Sequence, residues 1–163
     1  MVRGGSIDPW SSEQSTDYDR MIEQFGLTPI NLGSIPNPGM LHRRGIVFAH
    51  RDMDVITDSI TKGDPFGVLT GLMPSGRMHL GHSMVIEQVR WFQEQGADVT
   101  VAVADLEALA TRGTSLSKGR ETALREYILN YAALGLNSDK TSVYFQSSRP
   151  EVQRLGFTLG RRT

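Results

Sequence analysis

Cysteine is absent from all 163 residues, which removes disulfides, thiolate metal ligands and thiol nucleophiles together and is neutral on compartment. Long apolar runs are missing too: no stretch reaches the roughly 18 uninterrupted apolar residues of a membrane-spanning helix. The N-terminus, with Arg3, Gly4 and Gly5 and no apolar core, does not read as a secretory signal. The expectation is a cytoplasmic protein without membrane contact. An excess of positive charge is also lacking. With a formal net charge of -1, no global field draws nucleic acid in, so an RNA partner cannot be argued from charge.

What is present, 39% apolar and 21% charged residues, suffices for one compact core with a small appendage and excludes a fully disordered chain. Residues 1 to about 20 are polar, with Asp8-Pro9 and a Ser/Glu/Gln/Asp run, and read as an arm that packs late or stays mobile. A short helix is expected over 17–25. Pro29, Pro36 and Pro38, with Gly33 among them and Gly39 directly after, make 28–40 a connecting loop. Residues 44–48 have strand character. Met53, Val55, Ile56 and Ile60 lie near helical spacing over 52–61, and Lys62-Gly63-Asp64-Pro65 stops that helix.

From Phe66 strands and helices alternate, which argues for a parallel sheet with crossover helices in an α/β fold. A strand is expected over 66–70, and a helix over 80–95 with Met84, Val85, Val89, Trp91 and Phe92 on one broad face, ended by Gly96. Residues 99–104 form a valine-rich strand, read as buried on both faces. A helix over 117–134 stopped by Gly135, a strand over 142–146 and a helical segment over 151–161 complete the order. The boundary falls between an N-terminal extension, 1–64, and a nucleotide-type α/β domain, 65–163.

Between the first of these strands and its helix lies Thr70-Gly71-Leu72-Met73-Pro74-Ser75-Gly76-Arg77-Met78-His79-Leu80-Gly81-His82. Gly71 ends the strand where a ligand could approach closely. Pro74, Ser75 and Gly76 read as a tight turn with positive φ tolerated at the glycine. The turn feeds a helix N-terminus, whose backbone N–H groups and dipole favour a phosphate or carboxylate. His79 and His82, three residues apart, fall on one side of the first helical turn and can face one ligand. Gly81 between them leaves room for a flat ring. Imidazole N–H groups beside a triphosphate stabilise charge developing on phosphoryl oxygens without a protein nucleophile. The competing reading, two surface histidines near a helix cap, is disfavoured by their place after a buried strand and a Pro-Ser-Gly turn.

Pro74-Ser75-Gly76 followed by His79-Leu80-Gly81-His82 resembles the first signature of class I aminoacyl-tRNA synthetases, which is shared with other nucleotidyltransferases. Ala102-Val103-Ala104-Asp105-Leu106-Glu107 is similar to the matching stretch of the tyrosyl and tryptophanyl enzymes, with Glu107 favouring tryptophan. A carboxylate at that strand end sits at a pocket mouth, where it can meet an indole N–H or an ammonium; the competing reading is an acidic residue capping the next segment. Arg43-Arg44-Gly45-Ile46-Val47-Phe48-Ala49-His50-Arg51-Asp52 resembles the extension before the catalytic fold in archaeal and eukaryotic tryptophanyl-tRNA synthetases. Asn130-Tyr131-Ala132-Ala133-Leu134-Gly135-Leu136 with Tyr144-Phe145-Gln146-Ser147 is similar to the helix, turn and strand that follow there. His50-Arg51-Asp52 as a kinase loop is rejected, since no glycine-rich loop, strand lysine or Asp-Phe-Gly accompanies it.

The resemblance implies the first half of a Rossmann-like class I catalytic fold. It implies ATP, accompanied by Mg2+ without protein ligands, tryptophan and tRNA(Trp) as substrates, and a homodimer at full length. It implies His79 and His82 on the phosphates, with Pro74, Ser75 and Gly76 in the ATP turn and Gly71 and Gly81 against adenosine. Glu107, Leu69, Gln146 and, as pocket wall, Met73 go to the amino acid; Leu69 stands where eukaryotic relatives carry tyrosine. The family's second, lysine-rich signature has no counterpart among Lys62, Lys118 and Lys140. Ser115-Leu116-Ser117-Lys118 reads instead as a helix cap. The expectation is thus a chain cut short, a feeble catalyst alone, with an exposed sheet edge. Two rivals stay open: a tyrosyl enzyme or other nucleotidyltransferase of the superfamily, and a truncated binding module without chemistry.

Overall fold

The computed structural model describes residues 18–160, so most of the polar arm expected at the start lies outside them. The chain separates into two compact units, Met1–Lys62 and Gly63–Thr163.

In the first unit, helix α1 (Tyr18–Phe25) stops at Gly26, whose φ of +58° is left-handed. Strands β1 (Thr28–Pro29) and β2 (Ala49–His50) form a two-residue antiparallel pair. Between them stands the short helix α2 (Met40–Arg43), which buries Leu41 and His42. The strand expected over 44–48 does not form. Gly45, at φ +66°, closes the α2 turn onto the His42 carbonyl, and the N–H groups of Ile46 and Val47 both go to the Leu41 carbonyl. Those donors are therefore spent in a turn, and ladder pairing is left to Ala49 and His50. Helix α3 (Met53–Lys62) follows, its first N–H donating to His50 Nδ1 at 3.0 Å.

The second unit contains a three-stranded parallel sheet in the order β3 (Gly67–Leu72), β4 (Asp98–Val103), β5 (Thr141–Phe145). The register pairs Leu72 with Val103 and Val103 with Phe145, so all three carboxyl ends finish together. Helix α4 (Leu80–Glu94) crosses from β3 to β4 and ends near Gly96, at φ +110°. The return to β5 is made of helices α5 (Asp105–Arg112) and α6 (Leu116–Thr122), a π-helical turn (Ala123–Ile128) and helix α7 (Leu129–Ala133). Gly135, at φ +90°, stops it. The single helix expected over 117–134 is thus three successive geometries. Helix α8 (Pro150–Leu159) ends the described residues.

The core joins Leu72, Val99, Val101, Val103 and Phe145 to Ile86 and Val89 of α4 and to Ala123, Tyr127 and Tyr131 of the second crossover. Burying each core valine stabilises by roughly 1.5–3 kcal/mol. Strand β4 is not buried on both faces as expected: Val99, Val101 and Val103 are enclosed, whereas Asp98 is exposed and Thr100 and Ala102 are half-buried. Strands laid down in sequential order with right-handed crossovers put both crossovers on the same face. Gln93 ties the two crossovers together, accepting from Asn137 N at 2.7 Å and donating to Thr141 Oγ1 at 2.9 Å.

Candidate active site

The turn after β3 is built at Pro74, not Gly76. Ser75 N–H donates to the Met73 carbonyl at 2.8 Å, a two-residue closure with proline as its central residue, whose fixed φ suits that conformation. Gly76 does not take a positive φ, so the freedom that glycine offers there is not used by this turn. Pro74 is fully buried, and Gly119 of α6 lies against it: a Cβ on Gly119 would meet Pro74 Cγ at 3.6 Å.

His79 is the N-cap of α4, extended at φ -134° and ψ 176°. Its carbonyl accepts the first intrahelical bonds, from His82 at 3.0 Å and Ser83 at 3.3 Å, so the N–H groups of Leu80 and Gly81 lie ahead of the ladder. Its own N–H donates to His82 Nδ1 at 3.3 Å. The two imidazoles sit together, with centroids 3.9 Å apart and planes tilted by 43°. Gly81 is what permits this: a Cβ there would stand 3.1 Å from Cε1 and 3.2 Å from Nδ1 of His79. The flat ring for which the sequence leaves room is that of His79 itself.

Burial, and secondly the nearby His79, lower the pKa of His82 below its ordinary 6.5. Neutral, and accepting at Nδ1, His82 carries its proton on Nε2 and presents a donor. Behind it stands Tyr127, its ring 5.2 Å from the His82 ring at 88°. Burial raises the pKa of Tyr127, a hydrogen bond from the Gly76 backbone opposes this, and Glu126 adds to the rise. Beyond Tyr127, burial and then Tyr127 itself push Tyr131 up to about 12.

The remaining residues are more dispersed. Gln146 opens the short 3-10 turn after β5 and lines a cavity of about 550 Å3 with Leu106, Val152, Gln153, Gly156 and Phe157. Glu107 lies exposed in the first turn of α5. Met73 is half-buried, its sulfur 3.8 Å from Thr111 Oγ1. Leu69 is 72% exposed on the side of β3 opposite Leu72. A Cβ on Gly71 would meet only the Ala102 carbonyl at 3.8 Å, an ordinary contact, so nothing within the chain demands glycine there. Ser115 caps α6 as expected, accepting from Lys118 N at 3.3 Å.

One residue passed over as a site candidate is Asp105, almost fully buried at the end of β4. Its Oδ1 accepts from Leu106 N at 3.1 Å and Ser147 N at 3.0 Å, and its Oδ2 from the Ser147 hydroxyl. It latches the carboxyl ends of β4 and β5 directly behind Leu106 and Gln146. The signal available was a short acidic side chain following a valine-rich strand. Among the described residues no group of three or more His, Asp or Glu could hold a metal ion, and no helix is long and apolar enough to cross a membrane.

A parallel strand, a proline turn and a helix crowned by paired imidazoles define the class I synthetase type of α/β catalytic fold. Residues 61–163 match the family model of class I tRNA synthetases for tryptophan and tyrosine. The chain belongs to that family. It is 47% identical over 156 residues to a tryptophan–tRNA ligase of Methanosarcina acetivorans, covering 94% of this chain and 36% of that protein. Its structure is similar to tryptophanyl-tRNA synthetase of Aeropyrum pernix K1, at 39% identity and a TM-score of 0.82 over 96% of this chain and 45% of that one. The enzyme from Encephalitozoon cuniculi bound to tryptophan is similar at 28% identity and TM-score 0.73, over 82% and 40%. The chain thus spans less than half the length of these relatives.

Proposed function

We propose that this chain supplies the ATP-handling part of a tryptophan–tRNA ligase, with His79 and His82 facing the phosphates. The carrying observation is the imidazole pair folded over Gly81 at the start of α4. A donor at His82 Nε2 and the N–H groups ahead of the α4 ladder suit an anionic ligand, so the residues present fit a triphosphate. A tryptophan carboxylate oxygen bonds to the α-phosphorus, the bond to pyrophosphate breaks, and the negative charge that develops is met by these donors. A terminal ribose hydroxyl of tRNA(Trp) then displaces AMP from the adenylate. Mg2+ arrives with ATP and takes no ligand from these residues.

In this reading Pro74, Ser75 and Gly76 hold the ATP turn, Gly71 lets adenosine lie close, and Gly81, expected against adenosine, instead makes room for the His79 ring. Gln146, within its cavity, and Glu107, Met73 and Leu69 serve the amino acid. A homodimer in the cytoplasm completes the proposal. The test is pyrophosphate exchange by the full-length protein with tryptophan, tyrosine and neither. Response to tryptophan alone is expected. A response to tyrosine moves the chain to the sister specificity, and no response to either overturns the catalytic reading.

A further inference from the structure

Tyr127 is the largest fully buried side chain among the described residues, yet its environment is more specific than core filling requires. The backbone of Gly76, in the turn after β3, faces its hydroxyl, and its ring stands at 88° to that of His82 in the first turn of α4. It projects from the π-helical turn Ala123–Ile128, a geometry that commonly marks functional places in helices. The same crossover touches the turn a second time, through Gly119 against Pro74. One segment therefore braces the ATP turn at Pro74 and Gly76 and the helix start at His82.

We infer that Tyr127 is a positioning residue for the proposed phosphate site, its hydroxyl anchoring Gly76 and its ring holding the plane of His82. This rests on the function proposed above. A purely packing role would be met equally by phenylalanine, which fills the same volume, so the oxygen separates the two roles. Misplacing a catalytic donor by about 1 Å can cost on the order of a hundredfold in rate. The anchor accordingly matters to turnover more than to binding of the amino acid.

The experiment compares full-length wild type, Tyr127→Phe, Tyr127→Leu and Tyr131→Phe. The last deletes the hydroxyl of a second buried tyrosine of the same crossover, its ring 6.4 Å from that of Tyr127. Tryptophan-dependent exchange is measured along with the Gly76 amide and His82 imidazole resonances. Tyr127→Phe is expected to lower kcat about tenfold or more, leave the KM for tryptophan unchanged and move the Gly76 signal; Tyr131→Phe should do none of these. Tyr127→Leu should in addition move the His82 signals, and should it fail to fold, Tyr127→Phe alone decides. Equal kcat and an unmoved Gly76 signal in Tyr127→Phe overturn the inference. If the wild type shows no exchange, the catalytic reading fails separately, and the Gly76 and His82 signals still decide whether Tyr127 positions them.

Discussion

The backbone N–H of His79 donates to Nδ1 of His82 at 3.3 Å, so the cap residue of the helix fixes the tautomer of the histidine one turn on. The consequence is a directed proton on Nε2. His82→Ala is expected to lower kcat for exchange by about two to three orders of magnitude, the usual cost of one preorganised donor. His82→Gln, whose amide can place an N–H near the same point, should retain more activity than His82→Ala. Equal losses would show that the donor is not what His82 contributes.

Gly81→Ala puts a methyl group within 3.1 Å of the His79 ring. The ring must swing away, since it is a movable side chain and the helix is not. Fold stability should change little, because alanine also favours the helix by about 1 kcal/mol. Exchange activity should fall, with the His79 resonances displaced. Full activity in Gly81→Ala would disconnect the ring pair from catalysis.

Asp105→Ala removes the acceptor of the Ser147 amide and hydroxyl. Leaving such partly buried donors unmatched costs about 1–3 kcal/mol, and urea denaturation should register it. Asp105→Asn keeps one acceptor oxygen and should cost less. Beyond stability, loosening Ser147 should disturb the neighbouring Gln146 and raise the KM for tryptophan more than it lowers kcat.

Burial, and secondly Arg43, hold the pKa of His42 below 6.5. Between that lowered value and 6.5 the unfolded chain binds more protons than the folded one. Stability contributed by the neutral imidazole is therefore full above about pH 6.5 and declines as pH falls through the window. His42 Nδ1 accepts from Gly39 N at 3.2 Å, a bond that asparagine can imitate. His42→Asn should flatten the loss of stability between pH 7.5 and 5.5 in chemical denaturation, and an unchanged slope would assign the acid sensitivity elsewhere.

Much of the second unit was legible because its punctuation is unambiguous. Gly96 and Gly135 stop helices with left-handed backbone, and valine-rich 99–103 sits between them. Helix α5 is not legible from the sequence pattern because its eight residues begin with the Asp105–Glu107 motif itself, although Gly113, left-handed at φ +64°, marks its end. The strand expected over 44–48 failed through Gly45, whose turn consumed the donors of Ile46 and Val47. At the site, spacing alone showed that His79 and His82 share a side. It could not show that His79 covers Gly81, nor that a tyrosine 45 positions beyond His82 would stand behind it. The first is a matter of side-chain rotamers within one helical turn, and the second depends on how the second crossover lies over the sheet, which no local pattern encodes.

Because both crossovers lie on one side of the sheet, a side chain of β3 is answered by the core on one face and by solvent on the other, where Leu69 stands 72% exposed. In a chain without native cysteine, Leu69→Cys would create a single addressable thiol at that spot. A fluorophore attached there would report whatever comes to rest against the open face, while the packing behind the strand stayed undisturbed.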